Sequence, residues 1–217
     1  MKSYVVIGLG RFGLEMAAKL YACGEEVLAI DTDEAVIDKV ADRVTRAVAA
    51  DARDIDVLKK LGVKSIDRAV VAVGSDLGAS ALITMNLKTL GVPYILCKAH
   101  DDTYREILEK LGADKVIIPE REIADKLSLG LTVAGIMEYI ELSDEYGIVE
   151  ITPPTVWLGK TIRELELRTR YGANVIAVRK GETLRIPPAI DVPLDDQCIL
   201  VILAHYKDLD KLDKLEK

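Results

Sequence analysis

A glycine-rich turn near the start of the chain limits its fold more than any other feature. Residues 4–8 form a short apolar run, and Gly8, Gly10 and Gly13 follow with the spacing G-x-G-x-x-G before an amphipathic segment. The first glycine of such a motif permits a tight turn, the second lets the backbone approach a phosphate, and the third allows close helix packing. The N-terminus of the helix then faces the anion. The pattern predicts a strand, a turn and a helix that bind a nucleotide.

Two charged residues refine this prediction. Asp31 ends the second apolar run, about 20 residues after the turn, where a carboxylate accepts hydrogen bonds from ribose hydroxyls and repels a 2′-phosphate. Its alternative role is to cap a helix that begins at Asp33 or Glu34. Arg11 falls on the first turn of the helix, where a guanidinium suits a terminal phosphate. Alternatively, Arg11 lies on the surface and pairs with Asp33 or Glu34.

Short β-branched runs alternate with longer amphipathic segments over the first half of the chain. This alternation predicts an α/β fold, a Rossmann-type doubly wound parallel sheet with right-handed crossovers. The predicted strands are 4–8, 26–31, 46–50, 68–73, 94–98 and 115–118. The predicted helices begin near Arg11, Glu34, Ile55, Leu77, Thr103 and Glu120.

The pattern changes near Leu142. Residues 120–142 indicate a long helical segment that could break at Gly130 and dock on a neighbouring molecule. Beyond a polar turn, short strands, a short helix from "LGKTIRELEL" and a hairpin at Lys180-Gly181 predict a small α+β domain. We therefore expect a nucleotide-binding domain with its crossover helix at 1–140, a second domain at 145–205, and a tail at 206–217.

The predicted helix over 77–90 is apolar around most of its circumference and carries a single charge, Lys88. A surface helix normally shows a polar stripe. The segment therefore either lies deep in its domain or packs against a second subunit.

Composition limits the classes of function. The 217 residues are 50% hydrophobic and 30% charged, with a formal net charge of -7 and a mean hydropathy of +0.18, which is typical of a soluble globular protein. The acidic balance argues against a nucleic-acid partner. The three cysteines are dispersed and no signal peptide precedes them, which favours the cytoplasm. No apolar run reaches the roughly 20 residues that span a bilayer, so we expect no direct membrane insertion.

Residues for enzymatic chemistry are few. The histidines are His100 and His205, and neither a nucleophile elbow nor a Cys/His metal spacing is present. His100 follows the fifth predicted strand on the side where ligands bind, although a turn or capping role suits it equally. A non-enzymatic regulator therefore fits better than the alternative, a NAD-dependent oxidoreductase.

Several stretches together resemble a known family. They are "YVVIGLGRFG", "VLAIDTDE", "AVVAVGSD", "LEKLGADKVIIPERE", "LGKTIRELELRTRYGANVIAVRKG" and "DDQCILVIL". They are similar to regulators of potassium conductance, the RCK or KTN type, in particular the cytoplasmic KtrA/TrkA gating subunits of bacterial potassium uptake systems. The resemblance covers nearly the whole chain, and Gly-Arg-Phe-Gly is more specific than three glycines alone.

The resemblance implies a homo-octamer built from dimers, peripheral to the inner face of the cell membrane. It implies a KtrB/TrkH-like potassium transporter subunit as the partner. The nucleotide bound to the octamer would switch this transporter, with ATP favouring activity and ADP inactivity, and some relatives bind NAD(H). Arg11 would lie near the γ-phosphate. The nucleotide-binding residues implied are Gly8, Gly10, Arg11, Phe12, Gly13, Asp31, Asp33, Asp51, Gly74, Lys98 and His100.

Two further sites are implied. Glu120 matches the acidic residue that helps a neighbouring subunit hold a divalent cation such as Mg²⁺ against the γ-phosphate; its alternative role is to stabilise a helix N-terminus. The second domain resembles sites for cyclic di-AMP between two protomers. Arg168 would contact phosphate and Asn174 an adenine edge, with Ile162 and Pro188 beside them, although these residues could equally be helix surface and turn. "LDDQC" replaces the common glycine-aspartate before the last strand.

Overall fold

The computed structural model describes residues 1–74, 76–132, 136–143, 145–205 and 207–208, with the backbone alone for 126, 129–132, 136–139 and 141. The chain forms two compact units, an N-terminal unit over Met1–Pro119 and a C-terminal unit over Glu120–Lys217. Apart from residues 207 and 208, the predicted tail lies outside the described residues.

The N-terminal unit is built on a six-stranded parallel sheet. Its strands are β1 (Ser3–Ile7), β2 (Glu26–Asp31), β3 (Arg46–Ala49), β4 (Arg68–Val71), β5 (Tyr94–Lys98) and β6 (Lys115–Ile117). They are ordered β3-β2-β1-β4-β5-β6, and every neighbouring pair is parallel. The strand order reverses between β1 and β4, where doubly wound sheets open a ligand crevice. The predicted Rossmann-type sheet is confirmed.

Five helices connect these strands. They are α1 (Arg11–Ala22), α2 (Glu34–Val40), α3 (Ile55–Lys60), α4 (Leu77–Thr89) and α5 (Asp102–Lys110). Four begin at an aspartate whose side chain accepts a backbone N–H of the first turn: Asp33, Asp54, Asp76 and Asp101. Such caps satisfy N–H groups that the helix itself leaves unpaired. By contrast, α1 begins after Gly10, which has no side chain to offer.

Apolar side chains cover both faces of the sheet. Along β1, Val5 and Ile7 belong to one buried cluster with Leu87 and Ile95. The intervening Val6 belongs to the cluster on the opposite face. Burial on both faces explains why the strand sequences are nearly continuous apolar runs rather than alternating ones.

Helix α4 is only partly buried. Ile83, Thr84 and Leu87 face the core, whereas Leu82 and Met85 are 43% and 48% exposed. Within the part of the chain that is described, α4 is therefore not engulfed by its own unit. The expected subunit contact stays a prediction.

The C-terminal unit contains an antiparallel sheet. Its strands are β7 (Ile136–Glu141), β8 (Tyr146–Ile151), β9 (Asn174–Lys180), β10 (Thr183–Arg185) and β11 (Cys198–His205), in the order β10-β9-β11-β8-β7. Its helices are α6 (Pro119–Thr132), α7 (Ile162–Leu165) and α8 (Leu167–Tyr171). The predicted hairpin is present, since β9 and β10 pair across Gly181, whose φ is +57°. The small α+β architecture is confirmed.

One local prediction was wrong. The helical segment expected over 120–142 runs through Gly130 but ends at Thr132, and β7 follows. Strand β7 pairs with β8 across a polar turn, and pairing of this kind overrides local helix preference. The short helix expected from "LGKTIRELEL" is present as α7. It ends at Glu166, which adopts a left-handed conformation at φ 46°, and α8 follows.

The compact units place residues 120–140 with the C-terminal part of the chain. The predicted domain limits, 1–140 and 145–205, place them with the N-terminal part instead. The limits 1–140 and 145–205 stay a prediction for the functional domains. Among the described residues, no helix combines the length and apolarity needed to cross a membrane.

The burial of the thiols leads to a chemical prediction. Cys23 is exposed, and Cys97 and Cys198 are buried. Burial raises the pKa of the Cys97 thiol to about 11 and also raises the pKa of Cys198. Since thiolate is the reactive form, we expect one rapid equivalent in an Ellman assay at pH 8, which Cys23→Ser abolishes. A rapidly reacting thiol that persists in Cys23→Ser would contradict the burial of Cys97 and Cys198. As a control, denaturant should make both buried thiols reactive.

Candidate functional site

A cleft of about 370 Å³ opens where β1, β2, β3 and β4 end. The residues that follow these strands form its walls, and α4 contributes Ala79 and Ile83. The remaining lining residues are Ile7, Gly8, Gly10, Ile30, Asp31, Thr32, Ala50, Asp51, Ala52, Arg53, Ala72, Val73, Gly74 and Asp76. The cleft therefore lies at the switch point where open α/β sheets bind ligands.

The three glycines of the turn have different constraints. Gly8 has φ +88°, and a Cβ there would lie 2.8 Å from Val73 Cγ2. At Gly13 a Cβ would lie 1.9 Å from the Gly8 carbonyl oxygen, so only glycine lets α1 approach β1 this closely. At Gly10 a Cβ would meet no atom within 4 Å. The space in front of Gly10 is open, and packing within the chain does not account for its glycine.

The N-terminus of α1 lies beside this open space. Arg11 is the first residue of the helix and is exposed. No acidic residue stands in the first turn, so the partial positive charge of the helix end is not offset there. Among the described residues Arg11 forms no ion pair, and Asp33, its suggested alternative partner, caps α2 instead.

The Asp31 carboxylate connects the turn to the next strand. Its Oδ2 accepts the Leu9 N–H at 2.6 Å, and its Oδ1 accepts the Asp33 N–H at 3.0 Å. Asp31 is half-buried and lines the cleft. The cap of α2 is provided by Asp33, which is exposed and is not among the lining residues. Asp31 therefore fixes the glycine turn while facing the cleft.

An ion pair forms part of the cleft wall. Asp51 accepts Arg53 Nε at 2.9 Å and Nη2 at 2.7 Å. These hydrogen bonds hold the pKa of Asp51 below its ordinary value. Sequence reasoning identified Asp51 but missed Arg53, Thr32 and Asp76. The available signal was their position within three residues of the ends of predicted strands.

The other predicted nucleotide residues are divided between the cleft and its surroundings. Gly74 lines the cleft, and a Cβ there would lie 3.3 Å from Lys98 Cδ. Lys98 Nζ lies 5.9 Å from the ring centroid of Phe12. His100 is exposed, with its ring 6.4 Å from that of Tyr104. The cleft brings together Gly8, Gly10, Asp31, Asp51 and Gly74, whereas Arg11, Phe12, Gly13, Asp33, Lys98 and His100 are not among its lining residues.

Comparison with known proteins places this arrangement in a family. The TrkA-N domain model matches residues 4–119, and the TrkA-C domain model matches residues 147–217. The Ktr system potassium uptake protein C of Bacillus subtilis (strain 168) is 35% identical over 98% of this chain and 96% of its own length. The Ktr system potassium uptake protein A of the same organism is 36% identical over 98% of this chain and 96% of its own length. The chain belongs to the Ktr/TrkA family of potassium uptake proteins.

Solved structures show the same fold. The GsuK RCK domain has a TM-score of 0.69 and 21% identity, over 99% of this chain and 47% of the GsuK chain. The GsuK channel bound to NAD has the same TM-score and 19% identity, over 100% of this chain and 39% of the channel chain. This Ktr/TrkA-family chain therefore spans about half or less of those GsuK chains.

The predicted metal residue of this Ktr/TrkA-family chain, Glu120, lies in the first turn of α6 together with Glu122. Acidic residues there also stabilise the helix end, as the alternative expected. Within the described ranges, His, Cys, Asp and Glu form no cluster of three or more that could hold a metal ion. The cation role of Glu120 stays a prediction.

The proposed second-messenger residues lie on four segments of the C-terminal unit. Ile162 begins α7 and packs against the local core, and Arg168 is exposed on α8. Asn174 begins β9, and Pro188 lies in the segment between β10 and β11. A cavity of about 410 Å³ in this unit is lined by other residues, including Lys180, Arg185 and Cys198. The cyclic di-AMP site also stays a prediction.

The glycines of the turn allow a matched test. Because a Cβ at Gly13 would overlap the Gly8 carbonyl, we expect Gly13→Ala to destabilise the protein by about 3 kcal/mol. Gly10→Ala should change stability by less than about 1 kcal/mol and should weaken nucleotide binding. Thermal denaturation followed by circular dichroism measures the first effect, and titration calorimetry with ATP measures the second. Equal stability losses in both variants would contradict the distinct roles of these glycines.

Proposed function

We propose that this chain is a regulatory, nucleotide-sensing subunit that gates a membrane potassium transporter, with ATP favouring transport and ADP disfavouring it. The observation that carries the proposal is the open space in front of Gly10, next to the N-terminus of α1. The family supports the link to potassium uptake. The subunit acts in the cytoplasm, at the inner face of the membrane, through its transporter partner.

The turn fits the phosphates of a nucleotide. Gly10 borders the cleft, and a Cβ would occupy the space that a phosphate oxygen needs close to the backbone. The N–H groups of the first turn of α1 are available as donors, since no side chain caps them. Asp31 borders the same cleft and offers a carboxylate to ribose hydroxyls.

Switching requires that the nucleotides prefer different conformations of the assembly. A ligand shifts a conformational equilibrium only through its differential affinity for the two states. Arg11 supplies that difference by binding the γ-phosphate, which ADP lacks. Glu120 of a neighbouring subunit adds to it by holding a divalent cation such as Mg²⁺ against the same phosphate.

The assembly is a homo-octamer built from dimers. The exposed Leu82 and Met85 of α4 and Ile123 of α6, which is 56% exposed, support contacts between subunits. The burial of apolar side chains of this size against a partner lowers the free energy of the assembly.

The alternative function is that of a NAD-dependent oxidoreductase. NAD(H) is a second ligand that the cleft could hold, as the GsuK channel binds NAD. Hydride transfer also needs an acid or base beside the substrate. The acids and bases among the described lining residues are Asp31, Asp51 and Asp76. They accept hydrogen bonds from the glycine turn, from Arg53 and from the first turn of α4, respectively, so we propose that a bound dinucleotide acts as a regulatory ligand and that the chain is not an enzyme.

We also propose cyclic di-AMP as a second regulator, bound by the C-terminal unit. The guanidinium of Arg168 and the amide of Asn174 are exposed on either side of a tight turn, in which the Gly172 N–H donates to the Arg168 carbonyl oxygen. Arginine and asparagine suit phosphate and adenine respectively. Ile162 and Pro188 complete the proposed site.

The γ-phosphate role of Arg11 can be tested by calorimetry. We expect Arg11→Ala to weaken ATP binding by about 10-fold or more, since charge-assisted hydrogen bonds contribute about 1.5–3 kcal/mol, with a small effect on ADP. The control is Arg43→Ala, which removes an exposed arginine paired with Glu15 at 3.7 Å. An unchanged ratio of ATP to ADP affinity in Arg11→Ala would exclude this role.

A further inference from the structure

The C-terminal unit has a cavity of about 410 Å³ to which the functions proposed above give no role. Its described lining residues include none of those proposed for nucleotide or cyclic di-AMP binding. Leu194, Asp195 and Cys198 line it, and all three belong to "LDDQC", the stretch that departs from the family pattern. Small-molecule sites are typically concave, mostly apolar cavities of about 300–1,000 Å³ with a few polar groups. The polar groups of this cavity therefore indicate what it can bind.

Three polar side chains lie on one face of the β9–β10 hairpin. Thr183 pairs with Lys180 across the hairpin, and Arg185 pairs with Val178. Residues directly opposite each other in a sheet share a face, as do residues two apart on one strand. All four side chains line the cavity. A hydroxyl, an ammonium and a guanidinium are thus presented from the same face to the same cavity.

The segment between β10 and β11 adds an apolar wall to the cavity. Ala189, Val192 and Leu194 of this segment are lining residues, and Leu194 is buried. The Leu194 N–H donates to the Lys160 carbonyl oxygen at 2.9 Å, and the Leu194 carbonyl oxygen accepts the Gly159 N–H at 2.8 Å. These hydrogen bonds hold the wall in place before any ligand binds, and a preformed wall reduces the cost of ordering on binding.

Asp195 is the acidic residue among the described lining residues, and its carboxylate is already occupied. It accepts the Lys180 ammonium, the Gln197 N–H at 3.1 Å and the Cys198 thiol at 3.1 Å. About three of its roughly four acceptor sites are therefore used. The Lys180 ammonium lowers the pKa of Asp195 to about 2, so this carboxylate stays ionised and paired at neutral pH. It leaves the cavity little capacity to accept hydrogen bonds from a ligand.

The cavity has donors to spare. Across the described ranges, the Arg185 guanidinium and the Thr183 hydroxyl form no ion pair or side-chain hydrogen bond with another residue. Lys180 and Arg185 together exceed the charge of Asp195, so the lining residues carry one positive charge in excess, although the chain has a net charge of -7. The guanidinium fork matches a carboxylate. A single negative charge on the ligand would offset the excess.

We propose that this cavity binds an organic monocarboxylate that has an aliphatic body. The carboxylate lies on Arg185, Lys180 and Thr183, and the body packs against Val192 and Leu194, where each buried methylene adds to the affinity. A phosphate monoester suits the same donors but carries a second negative charge that the lining residues do not offset. The site is independent of the nucleotide cleft, which belongs to the N-terminal unit.

The test measures binding of hexanoate to the full chain by saturation-transfer difference NMR, which follows the signals of the ligand. We expect saturable binding of hexanoate by the wild type. Hexylamine, which has the same body and the opposite charge, and acetate, which has the carboxylate without the body, should each bind about 10-fold more weakly or worse. This comparison needs no variant, so it does not depend on the folding of one.

Two variants locate the ligand. Arg185→Ala should weaken hexanoate binding by about 10-fold or more, since it removes a charge-assisted hydrogen bond. Ala189→Leu, which fills part of the apolar wall and keeps every charge, should also weaken it. The control is Arg170→Ala, which removes an exposed arginine of the same unit that pairs with Glu166 at 3.1 Å and does not line the cavity. It should keep the wild-type affinity, and thermal melting shows whether each variant is folded.

Four results would overturn the proposal. They are the absence of saturable hexanoate binding by the wild type, equal binding of hexanoate and hexylamine, wild-type affinity in both Arg185→Ala and Ala189→Leu, and an equal loss of affinity in Arg170→Ala and Arg185→Ala. Tighter binding of hexyl phosphate than of hexanoate would contradict the assignment of a monocarboxylate. Binding of ATP is measured separately, so a failure of this proposal is distinguishable from a failure of the proposed function.

Discussion

The close approach of α1 to β1 is the constraint on which the rest of the N-terminal unit depends. A Cβ at Gly13 would come within 1.9 Å of the Gly8 carbonyl oxygen, and Gly8 itself has φ +88°. The two glycines together turn the chain sharply and bring the first turn of α1 to the carboxyl end of the central strand. This geometry is available only where side chains are absent at both positions.

The polar groups of the cleft depend on that turn. The Leu9 N–H donates to Asp31 at 2.6 Å, so the carboxylate at the end of β2 holds the turn in place. The four helices that follow β2, β3, β4 and β5 are capped by aspartates, whereas α1 is not. An uncapped helix end beside a cation is suited to an anion from outside the protein. These features and the membership of the Ktr/TrkA family support the proposed binding of a regulatory nucleotide.

Local sequence signals predicted the parallel sheet, its helices and the C-terminal hairpin, because buried strands and glycine turns have strong local patterns. They failed at β7, whose strand conformation depends on pairing with β8. Asp31 and Asp51 were predicted cleft residues, but Arg53 was missed, because its pairing with Asp51 and its anchor to Asn86 depend on tertiary structure. The predicted role of Glu120 requires a neighbouring subunit, so no pattern within one chain can establish it.

The most direct test of this account is a crystal structure of the full chain grown with ATP and Mg²⁺. We predict the triphosphate in front of Gly10 and beside Arg11, and the ribose on Asp31. A triphosphate bound elsewhere, or a base lying against Gly10 with the phosphates at Asp51, would contradict it.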